Sequence, residues 1–212
     1  IQGFEMPPNA QIALALWRLI RALVLRFWKE PYIKAPVNWG TELHDRWMLP
    51  HYIWDDLKEI CADLQEHGID FKQEWLAPFE EFRFPHYGRL NVDNIELELR
   101  WAIEPWDVLG EEIGSSGMAR YVDSSVERLQ VKVSGLTDKR YIIACNGRAI
   151  PLRHTGRHGE YVAGVRYKAW APPSALHPTI GIQVPLVFDI IDTWNDRTIG
   201  GCTYHVTHPG GR

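Results

Sequence analysis

The chain has 212 residues, of which 45% are apolar and 24% charged, with a formal net charge of −4. These values exclude a disordered chain and give no electrostatic reason for a nucleic-acid partner. Three cysteines, Cys61, Cys145 and Cys202, lie far apart and are odd in number, which argues against a disulfide framework and for a reducing compartment.

The first element is "AQIALALWRLIRALVLRFWKEP". Asn9 suits its cap, Pro7 and Pro8 its entry, and Pro31 its end. Gln11, Arg18, Arg21, Arg26 and Lys29 share one side of the helical wheel. Arginines through the middle make a membrane-spanning role costly, and the charge order is wrong for a signal peptide. The pattern predicts a helix buried over most of its surface, with a narrow basic stripe. A Pro-rich connection follows, then "TELHDRWMLP", with Thr41 as a candidate cap and an interruption at Pro50. In "HYIWDDLKEICADLQEHG", Ile53, Leu57, Ile60 and Leu64 recur at helical spacing and Gly68 closes the run.

Beyond Pro78 the period shortens. Phe82 and Phe84 alternate with Glu81 and Arg83, and Ile95, Leu97, Leu99, Trp101 and Ile103 alternate with Glu96, Glu98 and Arg100. Such alternation predicts two half-buried strands, here joined by "HYGRLNVD". The Gly- and Ser-rich "GEEIGSSG" is the internal boundary candidate. After it, "VERLQVKV", "YIIACNGRAIPL", "GEYVAGVRYKAW", "IGIQVPLVFDIIDTW" and "IGGCTYHVTH" predict strands, with Asn146-Gly147 as a hairpin turn. The expected class is α+β: a helical N-terminal part with a short antiparallel sheet, then a β-sandwich-like all-β domain. The expected division is 1–110 and 111–212.

Four constellations could carry chemistry. Cys202, His205 and His208 are zinc-type ligands, but odd spacing on a strand sends neighbours to opposite faces, which disfavours a site. His44 and His51 lie near Asp45, Arg46, Asp55 and Asp56, where a polar helix edge competes with a substrate-contact role. Glu96, Glu98 and Arg100, with Glu81 and Arg83 across from them, could hold Mg²⁺ or clamp an anion, or form a solvated ion-pair face. Ser124 and Ser125 lack a G-x-S-x-G setting, and neither common phosphate-cradling glycine loop occurs.

Long segments carry a resemblance: "FEMPPNAQIALALWRLIRALVLRFWKEPY", "WGTELHDRWMLPHYIWDDL", "EFRFPHYG", "LELRWAIEPWDVLGEE", "RYVDSSVERLQVKVSGL", "YVAGVRYKAWAPPSALHPTI" and "GGCTYHVTHPGGR". Over nearly the whole chain they resemble DUF2126, a bacterial family described as amidoligases and often fused to a transglutaminase-like domain. The resemblance implies that the chain is the C-terminal portion of a longer protein. Residues 1–110 would then be the tail of a glutamine-synthetase-like catalytic region, and 111–212 an accessory domain. It implies ATP and Mg²⁺, with peptide or amino-acid carboxylates and amines as substrates. Transglutaminase-like and ATP-grasp-like proteins are the implied partners, in the cytoplasm, with no nucleic acid and no membrane.

In glutamine-synthetase-like enzymes a Glu-x-Arg-x-Pro pattern precedes an apolar helix. "GFEMPPNAQIALALWRLIRALVLRF" is similar in layout but lacks the Arg, with Glu5 near its place. Glu5 is therefore the candidate for metal and nucleotide, and Asp45, Arg46, Arg83, Glu98 and Arg100 are the candidate catalytic or substrate contacts. The alternative is a non-catalytic module that binds substrate or a partner, a role that the ten Trp suit equally well.

Overall fold

The computed structural model describes residues 7–105, 126–136, 139–169 and 181–206. Two compact units divide the chain, Ile1–Pro85 and His86–Arg212. "GEEIGSSG", Ser124, Ser125, Glu5 and His208 lie outside the described residues.

The first unit is helical. α1 (Ala10–Lys29) starts where Asn9 Oδ1 accepts a 2.9 Å bond from the Ile12 N–H, as the cap chemistry predicts. Short α2 (Leu43–Arg46) follows a 3₁₀ turn at Gly40–Glu42, and α3 (Pro50–Glu66) takes Pro50 at its start, where a missing N–H costs nothing. Thr41 therefore does not cap a helix: it lies inside the 3₁₀ turn. Gly68 closes α3 at φ +75°, a conformation open to glycine, and the Ile69 N–H reaches back 2.9 Å to the Leu64 carbonyl. A 3₁₀ turn at Gln73–Leu76 leads into α4 (Ala77–Arg83). Cys61, Leu64, Phe71, Leu76 and Ala22 form the core, with Leu16, Leu19 and Leu23 of α1 packed on it.

Two further expectations for this unit are corrected. Only Ile12, Ala22 and Arg26 of α1 are buried, while Leu14, Trp17, Val24, Leu25 and Trp28 are exposed. Arg26 is not on a solvent stripe. Its guanidinium meets both carboxylate oxygens of Asp63, at 3.0 and 3.2 Å, and ties α1 to α3. Phe82 and Arg83 are helical, not strand, because the alternation over four letters is too short to outweigh a helix begun at Ala77 with Pro78 in its first turn. Among the described residues no helix is long and apolar enough to cross a membrane.

The second unit is a two-layer β structure. Its strands are β1 (His86–Val92), β2 (Ile95–Ala102), β3 (Val126–Ser134), β4 (Tyr141–Cys145), β5 (Arg148–Ala149), β6 (Arg153–His154), β7 (Tyr161–Lys168), β8 (Leu186–Asp192) and β9 (Arg197–Tyr204). One antiparallel sheet runs β1-β2-β3-β7-β6 and the other β5-β4-β8-β9. Their facing sides share one apolar core, including Leu97, Leu129, Val131, Ile143, Phe188 and Ile190. The α+β class and the sandwich-like C-terminal part are as expected. The residues expected to join two strands, "HYGRLNV", are themselves β1, and β1–β2 is part of the larger sheet rather than a separate one.

Glycines shape two joints. Asn146 and Gly147 take φ +48° and +75°, the mirror-image turn that matches strand twist, and connect β4 to β5. At Gly200 on β9, a Cβ would stand 2.5 Å from Val92 of β1, so the absent side chain lets the two sheets meet along that edge.

Candidate functional site

The outward face of β2 and β3 carries the densest charge. Pairing sets Arg89 opposite Glu98, Glu98 opposite Lys132, and Arg100 opposite Gln130. Glu98 accepts from Arg89 Nη2 at 2.7 Å and from Arg100 Nε at 3.0 Å, with His86 Nε2 at 3.9 Å. Burial pushes the Glu98 carboxyl up, but the hydrogen bonds and charges of Arg89 and Arg100 outweigh it and hold the group below its ordinary value. Arg89 Nε also stands 3.4 Å from Glu96, and Lys132 pairs with Glu160 at 3.1 Å.

Toward β7 part of the same face is buried. Gln130 is 2% exposed and Lys168 1%, and Arg128 is buried beside Gly164, where a Cβ would collide with its guanidinium. Arg166 Nε lies 3.1 Å from Glu104 Oε1. Part of a sheet face normally solvated is here buried, at Arg128, Gln130 and Lys168, while the paired Arg89 and Arg166 stay half exposed.

The other candidates occupy local structural pairs. Arg46 of α2 donates 2.6 Å to Asp56 of α3, and its guanidinium lies 5.2 Å from the Trp39 ring. Burial raises the Asp56 carboxyl above its ordinary value, opposed by Arg46 and reinforced by Glu59 and Asp55. The Asp45 carbonyl accepts from the Leu49 N–H at 3.1 Å, where the chain turns into α3. His51 is buried, 3.5 Å from Asp55, and His44 sits on the separate α2. Arg83 ends α4 in the helical unit, so it is not on a strand opposite Glu98, and Glu81 belongs to the same helix. Cys202 packs against the sandwich core, whereas His205 is exposed just past β9.

A Mg²⁺ site does not fit the described residues. Glu96 and Glu98, the carboxylates at two-residue spacing, are bridged by Arg89, a cation already in the place a metal would take. Among the described residues no three His, Cys, Asp or Glu side chains come together to hold a metal.

Sequence reasoning misses His86 and Arg89, because residues 86–92 read as a connection between strands and are themselves β1. The available signal was Leu90 and Val92 alternating with Arg89 and Asn91 before the turn residues Asp93-Asn94. It also missed Arg140, whose guanidinium grips Asp192 at 2.8 and 2.6 Å between the Tyr141 and Trp194 rings. Arg140 thereby holds the Asp192 carboxyl well below the usual carboxylate range. Sequence separation hides such a pair until β4 and β8 are known to be neighbours.

A protein-family model described as "Putative amidoligase enzyme (DUF2126)" matches residues 1–212. No curated protein and no solved structure matches the chain.

Proposed function

Because this chain belongs to the DUF2126 family of amidoligases, we propose that the protein forms amide bonds in an ATP-dependent reaction that modifies peptides. In this reading a substrate carboxylate oxygen attacks the γ-phosphorus of ATP and ADP leaves. An amine then attacks the acyl phosphate, loses a proton and expels inorganic phosphate. Peptide or amino-acid carboxylates and amines are the substrates, and transglutaminase-like and ATP-grasp-like proteins are the proposed partners in the cytoplasm.

The observation that carries the reading is the family match across the whole chain. Glu98 and Arg46 are already engaged in intrachain ion pairs, which favours a supporting rather than a reacting role for them. The β-sandwich is accordingly assigned to substrate binding, with the phosphoryl chemistry placed elsewhere. A cavity of about 430 Å³ beside β7, with Arg148 and Arg166 in its lining, favours that division of labour.

The test is ATP turnover by the full-length protein over a panel of carboxylates and amines, with amide product measured alongside ADP. Equal amounts of amide and ADP support the reading. ADP without amide, or neither under any pairing, contradicts it. Glu5→Ala is the companion variant: unchanged turnover removes Glu5 from the reaction.

A further inference from the structure

β7 is covered unevenly. β3 pairs along its whole length on one side. On the other, β6 covers only Tyr161 and Val162. Stepping back from Arg153, the residue due opposite Gly164 is Pro151, which has no N–H to give. The chain turns there instead, with the Leu152 N–H bonding to the Ile150 carbonyl at 2.8 Å, and crosses to the other sheet. Farther along, the Gln183 N–H takes the Lys168 carbonyl at 2.9 Å.

The direction of the intervening groups follows. The Glu160 carbonyl accepts from the Thr155 N–H at 3.1 Å on this same side. Alternate residues of an antiparallel strand direct their N–H and C=O the same way. Gly164 and Arg166, even-numbered like Glu160 and Lys168, therefore aim theirs away from β3, past the end of β6. Among the described residues neither meets a strand partner there. The stretch from Gly164 to Arg166 spans about 7 Å, enough for two to three residues of an added strand.

The cavity of about 430 Å³ opens beside this edge. Its apolar lining includes Ile150, Val165 and Leu186, and its charged lining is Arg148 together with Arg166, whose guanidinium already pairs with Glu104 at 3.1 Å; no Asp or Glu is among the described lining residues. Arg148 is exposed at the start of β5. An open strand edge supplies backbone donors and acceptors, and adjoining pockets sort side chains. A guanidinium at the rim, here that of Arg148, selects acidic ones.

We propose that this edge and cavity bind a short acidic peptide segment in extended form. Its backbone would add to Gly164 and Arg166, an apolar side chain would enter the cavity, and a carboxylate would meet Arg148. The proposal deepens the ligase reading by naming the substrate class, and it rests on that reading for its biological role.

The probe is fluorescein-labelled Gly-Val-Glu-Val-Glu, titrated with the full-length protein in the absence of ATP and followed by anisotropy. The expected result is saturable binding, weakened tenfold or more by Arg148→Glu and in the same direction by Arg148→Gln. Arg153→Glu, outside the cavity lining, leaves it within twofold. Peptides with N-methylated central residues, or with Lys for Glu, lose it. Thermal midpoints confirm that each variant is folded. Absence of saturable binding, equal loss with Arg148→Glu and Arg153→Glu, or equal binding of the N-methylated peptide overturns the proposal. ATP-dependent amide formation is measured on the same preparation. Amide formation without peptide binding overturns this proposal alone, and binding without amide formation overturns the ligase reading alone.

Discussion

Arg89 Nη2 donates a 2.7 Å hydrogen bond to Glu98 Oε2, from the residue directly across the β1–β2 ladder. The pair, completed by Arg100, turns a strand of alternating charge into a fixed polar layer on the outside of the sandwich.

The depressed Glu98 carboxyl gives a pH signature. A folded value below the unfolded one adds stability above the unfolded value, and this is lost as pH falls through the folded one. Glu98→Gln is expected to cost about 1 kcal/mol at pH 7, since Arg89 is half exposed. Between about pH 5 and pH 3 the gap to the native protein should close. Urea unfolding at both pH values reads it.

Gly200 and Gly88 make a matched test of packing. A Cβ at Gly200 meets Val92, whereas one at Gly88 meets nothing within 4 Å. Gly200→Ala is expected to destabilise by about 1–3 kcal/mol, and Gly88→Ala to stay within about 0.5 kcal/mol. Chemical denaturation midpoints with unchanged slopes check both.

Arg46 offsets the burial that raises the Asp56 carboxyl. Arg46→Met leaves that carboxylate without its cation, and the expected loss is about 1–3 kcal/mol at pH 7. A raised folded value means the penalty applies above it and is relieved as the group protonates. The loss should therefore be smaller at pH 4 than at pH 7, measured by thermal unfolding at each.

Burial pushes the Cys145 thiol up to about 11, and it raises Cys61 and Cys202 as well. Thiolate is the reactive form. Iodoacetamide at pH 8 should label none of these three rapidly in the folded protein and all three after denaturation, as intact mass will report.

The sequence was legible where periodicity was long or turn chemistry specific. Asn9, Pro50, Gly68 and Asn146-Gly147 act as their types require, and Leu97, Leu129 and Phe188 fall in one core. It was less legible where a short alternation competed with a helix start, as at Phe82. It was silent on which surfaces are covered. Gln130 and Lys168, polar residues of expected strands, are buried, and Trp17 and Trp28, on the helix expected to be buried over most of its surface, are exposed. A strand's period tells the two faces apart, not what packs on each. The candidate residues Asp45, Arg46, Arg83, Glu98 and Arg100 were likewise findable as charges but not as pairs. Their partners Asp56 and Arg89 are named only by tertiary contact and register.

The proposed reaction joins a carboxylate to an amine through an acyl phosphate. The most direct measurement uses a substrate carboxylate labelled with oxygen-18 in a full-length turnover. The expected result is one labelled oxygen in the inorganic phosphate for each amide formed. Amide formation with unlabelled phosphate would contradict it.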